Sequence, residues 1–73
     1  MPRKIRQLKA DLRSAGFLEL PGRGKGSHAM WQYPGVPDVA VILAGKDGDD
    51  AKSYQERDVL RAIREALGKR ERS

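Results

Sequence analysis

Helical periodicity at both ends of the chain, with three strand-length segments between them, restricts this sequence to a mixed helix-and-sheet fold. Ile5, Leu8, Leu12 and Ala15 recur at intervals of three or four and share one helical face, while Arg6, Lys9, Arg13 and Ser14 lie elsewhere. This predicts a first helix over 3–15. Gly16 suits the left-handed position past its end, and Phe17 then folds back on Leu12 as in a Schellman stop. Near the other terminus Ser53-Tyr54-Gln55-Glu56 matches a capping box, and Val59, Leu60, Ile63, Ala66 and Leu67 recur at helical spacing. Gly68 is expected to stop that second helix before a frayed tail over 69–73.

Between the helices, Phe17-Leu18-Glu19-Leu20 reads as a short strand closed by a Pro21-Gly22 type II turn. A second strand runs from His28 to Tyr33. The segment Pro34-Gly35-Val36-Pro37-Asp38 is expected to break it, and Val39-Ala40-Val41-Ile42-Leu43-Ala44 has the branched apolar content of a buried third strand. Strands in such close succession predict an antiparallel meander with both helices on one face. The fold class is therefore α+β in the order α-β-β-β-α, one domain over 1–73 with an ordered core of about 3–68.

Alternation along the second strand leaves two registers. One turns Met30 inward together with His28 and Gln32; the other buries Ala29, Trp31 and Tyr33 and exposes His28. The second gives the bulkier set to a core with few large residues and is preferred, which makes Trp31 structural.

A chain of 73 residues buries only roughly 60% of its unfolded surface, so the core is small. With no cysteine, neither disulfides nor a thiolate zinc site is available, and the composition suits a reducing compartment. No apolar run approaches the roughly 20 residues of a membrane span, and the N-terminus lacks a signal-peptide core. A soluble, cytoplasmic protein is expected. Fifteen Lys and Arg against ten Asp and Glu give a net charge of +5, which favours a polyanion such as nucleic acid, or an acidic protein partner.

His28 is the only histidine. Imidazole is the one side-chain type that exchanges a proton near neutrality without a large environmental shift, and this chain has only one. It follows the basic, glycine-rich segment Gly22-Arg23-Gly24-Lys25-Gly26-Ser27. Glycine lets backbone N–H groups approach an anion closely, so this segment suits a phosphate, with Arg23 and Lys25 adding charge. A strand follows it, not the helix that a dinucleotide fingerprint or P-loop requires, so no nucleotide cofactor is expected. Asp47, Asp49 and Asp50 do not meet EF-hand spacing and read as a solvated loop, so no metal is expected either.

Residues 3–67 taken together resemble the HicA family of toxin ribonucleases from bacterial toxin-antitoxin systems. The resemblance is carried by the amphipathic first helix ending in Ala15-Gly16-Phe17, by Lys25-Gly26-Ser27-His28 entering a strand, and by the later apolar strand and closing helix. It implies a fold like that of double-stranded-RNA-binding domains and metal-independent cleavage of messenger RNA, with His28 as the catalytic residue and a HicB-like antitoxin as partner. Many family members carry a basic or histidine residue just after that histidine and another histidine near the strand's end, where this chain has Ala29 and Tyr33.

Together these observations make His28 the catalytic candidate and Arg23, Lys25, Gly26, Ser27 and Lys46 the RNA- and phosphate-binding candidates. Trp31, Tyr33 and Tyr54 are the aromatics available in principle to stack on bases. Lys4, Arg6, Lys9 and Arg13 read first as a solvated helix face, with RNA or an acidic antitoxin as alternatives. Two rival functions fit the same features: a non-catalytic RNA-binding module and a protein-interaction subunit.

Overall fold

The computed structural model describes residues 3–20 and 28–72. The elements run α1 (Ile5–Ser14), β1 (Leu18–Leu20), β2 (Ala29–Tyr33), β3 (Val36–Leu43) and α2 (Ser53–Arg72). The strands form one antiparallel sheet in the order β1-β2-β3, so the α-β-β-β-α order expected from periodicity is the order observed.

The sheet has one packed face and one open face. Ala29 and Trp31 of β2 and Val39, Val41 and Leu43 of β3 are buried in a single cluster with Ile5, Leu8 and Leu12 of α1 and Val59, Ala62 and Ala66 of α2. Both helices therefore cover the same side. Leu18 and Ile42, on the other side, are each 60% exposed. Complete burial of a large apolar side chain contributes about 1.5–3 kcal/mol, and Trp31, Phe17, Ile5, Leu8, Leu12 and Leu43 supply most of what this small core offers.

The stop of α1 follows the sequence closely. Phe17 N–H donates to the Leu12 carbonyl at 2.9 Å and Gly16 N–H to that of Arg13 at 3.0 Å, the paired bonds of a Schellman motif. Gly16 has φ +100°, and a Cβ placed there would stand 3.2 Å from Tyr33 Cε2. Gly16→Ala therefore meets both backbone strain and the tyrosine ring. A loss of about 1–3 kcal/mol is expected, read as a lower urea midpoint with an unchanged slope.

The start of α1 is closed from far away in sequence. Ile5 N–H donates to the Asp49 carbonyl at 2.9 Å and Arg6 N–H to the Asp47 carbonyl at 3.1 Å, while Ala51 N–H donates back to the Arg3 carbonyl at 2.6 Å. Lys4 N–H is taken by Gln7 Oε1 at 2.7 Å. The acidic loop expected to be merely solvated thus supplies the first turn of α1, which has no acidic residue of its own, with carbonyls and nearby carboxylates that oppose the helix dipole. Ion pairs Lys4–Asp50 and Lys9–Asp47, the latter at 2.7 Å, clamp the same junction.

Asp47 is held below the ordinary carboxylate range by its hydrogen bond from Lys9, then by the charge of that ammonium, and more weakly by Arg13 and Arg6. A carboxylate with a lower pKa in the folded state stabilises the fold above its unfolded value near 3.9. That contribution disappears as pH falls through the folded value. Asp47→Asn is accordingly expected to lose less stability than the native chain between about pH 5 and about pH 2, measured as urea midpoints at the two ends.

Most element ends shift by a residue or two from expectation, and three differences have an identifiable cause. β3 begins at Val36, because Pro34 and Gly35, the latter at φ +83°, suffice to turn the hairpin. Tyr33 then faces Val36 while Gln32 faces Ala40, which leaves residues 37–39 as an irregularity in the register. Pro37, which lacks an N–H, falls in that stretch of an edge strand, where a missing donor is tolerated.

The entrance of α2 is capped one residue earlier than the Ser53–Glu56 box. Lys52 N–H donates to Gln55 Oε1 at 2.8 Å. The same buried glutamine gives its Nε2 hydrogen to the Ala44 carbonyl at 2.8 Å.

Finally, α2 continues through Gly68 to Arg72, so 69–72 are helical rather than a frayed tail. A glycine in a helix costs only about 1 kcal/mol relative to alanine. Lys69 beyond it reaches Asp38 at 3.5 Å.

Candidate functional site

β2 positions the histidine. Trp31 is 1% exposed and Ala29 is buried, so the packed face takes the odd-numbered residues and the open face carries Met30 and Gln32. His28, which precedes the strand directly, is exposed. This is the register expected from side-chain bulk. Pairing of Ala29 with Leu43 places His28 at the end of the sheet where β3 finishes, and the exposed Lys46 follows three residues later. Lys46 N–H donates to Asp49 Oδ2 at 3.0 Å, which holds the loop.

Arg23, Lys25, Gly26 and Ser27, with the neighbouring Gly22 and Gly24, lie outside the described residues. Of the six candidate site residues, the structure therefore places His28 and Lys46, both at one end of the open-faced sheet.

Two of the three aromatics have structural duties. Trp31 lies in the core beneath the Arg13 guanidinium, whose central carbon is 5.2 Å from the ring centroid. Its indole Nε1 has no hydrogen-bond partner among the described residues. Tyr33 is half-buried and meets Phe17 edge to face, with centroids 5.3 Å apart and planes at 71°. Tyr54 alone is outward, 49% exposed at the start of α2.

Positive charge is distributed unevenly in its availability. Arg3 pairs with Asp11, Lys4 with Asp50, Lys9 with Asp47 and Lys69 with Asp38, and Arg13 packs over Trp31. Most of the basic face of α1 is thus committed to the fold. By contrast Arg57, Arg61 and Arg64 of α2 are exposed and make no ion pair or side-chain hydrogen bond among the described residues. Their spacing of four and three is a helical period of its own, readable in the sequence beside that of the apolar set.

Among the described residues no three His, Cys, Asp or Glu side chains gather as metal ligands, and no helix is long and apolar enough to cross a membrane. Fold and site define a small α+β domain with an open sheet face and an exposed histidine at its end. No protein-family model, curated protein or solved structure matches this chain.

Proposed function

We propose that this chain is a metal-independent endoribonuclease toxin of the HicA type, acting on messenger RNA in the cytoplasm and restrained by a HicB-like antitoxin. The observation that carries the reading is the exposed position of His28 at the sheet end directly after a basic, glycine-rich segment, while its strand neighbours Ala29 and Trp31 are buried.

In this mechanism His28 accepts the proton of a ribose 2′-hydroxyl as its oxygen attacks the adjacent phosphorus. The 5′-oxygen leaves, taking a proton from water, and a 2′,3′-cyclic phosphate remains. Arg23 and Lys25, with the backbone N–H groups of Gly26 and Ser27, hold the phosphate as charge builds on it, and Lys46 adds a cation at the same end of the sheet. One histidine fills only one proton-transfer role at a time, so turnover is slow.

The test is a digestion of RNA by purified protein in EDTA, with the product ends identified. Fragments bearing 2′,3′-cyclic phosphate and 5′-hydroxyl ends are expected. Intact RNA, or cleavage that stops in EDTA, rejects the mechanism. The exposed Leu18 and Ile42 on the open face favour a protein partner on that same side, which fits an antitoxin and is also the feature that a pure interaction subunit would show. An interaction subunit leaves RNA uncut and unbound.

A further inference from the structure

We propose that Tyr54, Arg57, Arg61 and Arg64 form a second RNA contact, a ridge along α2 that holds the sugar–phosphate backbone beyond the His28 site. The choice of RNA as the polyanion rests on the endoribonuclease reading; the ridge itself rests on geometry. α2 buries Gln55, Val59, Ala62 and Ala66 against the sheet. With 3.6 residues per turn, Tyr54, Arg57, Arg61 and Arg64 fall within an arc of roughly 80° on the far side. All four are exposed.

The three guanidinium groups have no carboxylate partner among the described residues, although Glu65 borders the arc. By contrast Lys9 of α1 and Lys69 of α2 are matched to Asp47 and Asp38. The ridge therefore gathers three unmatched positive charges on one face of a single helix. Successive arginines stand about 6 and about 4.5 Å apart along the helix axis, a separation that lets neighbouring phosphates on one strand each meet a guanidinium fork.

Tyr54 favours nucleic acid over an acidic protein. An exposed aromatic in line with arginines offers a base a surface to stack on, while the arginines follow the backbone. The ridge also begins at the right end of the molecule. Gln55 bonds the Ala44 carbonyl at the end of β3, and His28 precedes the residue that faces Leu43 at that same end. The start of the ridge and the histidine thus share one end of the molecule, and the arginines continue from Tyr54 over about 15 Å along the helix.

Binding of a labelled 20-nucleotide 2′-O-methyl RNA, which has no free 2′-hydroxyl to attack, is measured by fluorescence anisotropy across salt concentrations. The variant Arg57→Gln/Arg61→Gln/Arg64→Gln is expected to bind at least tenfold more weakly at low salt. Its slope of log affinity against log salt should flatten by about 2, at about 0.7 per lost phosphate contact on a single strand. Arg61→Gln alone should flatten the slope by about 0.7, whereas Arg6→Gln, which removes one charge from α1, should leave it unchanged. Tyr54→Ala should weaken binding about tenfold and Tyr54→Phe should not.

Three results overturn the ridge: unchanged binding by the triple variant, equal slope losses from Arg6→Gln and Arg61→Gln, or displacement of the RNA by poly-glutamate at equal charge concentration with no effect of Tyr54→Ala. Because this RNA cannot be cut by its own 2′-hydroxyl, the binding result is independent of catalysis. RNA held on the ridge but never cleaved in its natural form rejects the nuclease reading alone. Cleavage with an unaltered salt slope in the triple variant rejects the ridge alone.

Discussion

His28→Ala is expected to lower the rate of RNA cleavage in EDTA by about 10²- to 10⁴-fold, the usual contribution of a positioned acid or base, and to relieve growth arrest when the chain is expressed without an antitoxin. Folding should be unaffected, because the side chain is exposed and stands outside the buried cluster. Coincident urea transitions for the two proteins establish that point. RNA affinity should change little, since the charges assigned to phosphate binding lie on other residues. A variant that cuts as fast as the native chain removes His28 from the chemistry. A native chain that binds RNA with a steep salt dependence but never cuts it leaves a binding module.

Trp31→Ala should be the most destabilising single substitution in the sheet, by about 3–5 kcal/mol, because a small core has little else to close around the space. The indole is 1% exposed, lies under Arg13 and occupies the centre of the packed face. For a domain whose whole stability is of the order of 5–10 kcal/mol, much of the population should unfold near physiological temperature. Trp31→Phe is expected to cost far less, about 1–2 kcal/mol, since it keeps an apolar ring and removes a buried N–H that has no partner among the described residues. Far-ultraviolet circular dichroism in urea reads both variants without depending on the fluorophore that is lost. Equal costs for the two substitutions would show that the ring's bulk is not what matters at this position.

Local signals were legible in the sequence and distant ones were not. Ala15-Gly16-Phe17 announced the end of α1 because a Schellman stop involves only residues within a few positions of one another. The register of β2 followed from the sizes of Trp31 and Tyr33 set against the rest of a small core. The entrance of α2 was displaced by one residue because Ser53 and Glu56 satisfy the local pattern, whereas the choice of Gln55 is fixed by the Ala44 carbonyl across the fold. Pro37 read as a breaker, and only the edge position of β3 makes it acceptable. Gly68 read as a terminator, yet its small penalty was overcome by the helix formers after it.

At the candidate site the same division holds. Exposure of His28 followed from alternation once the bulk of Trp31 and Tyr33 had chosen the register. Asp47, Asp49 and Asp50, by contrast, took their meaning from α1, more than thirty residues away. The arginines of α2 carried a readable period of their own. Their lack of partners emerges only when the rest of the molecule is assembled.

The backbone bonds from Ile5 and Arg6 to the 47–49 segment have a consequence for birth on the ribosome. The first two N–H groups of α1 gain their protein acceptors only from residues more than forty positions later. A nascent segment carrying α1 alone must therefore leave those groups to water until the sheet brings the 47–49 loop alongside.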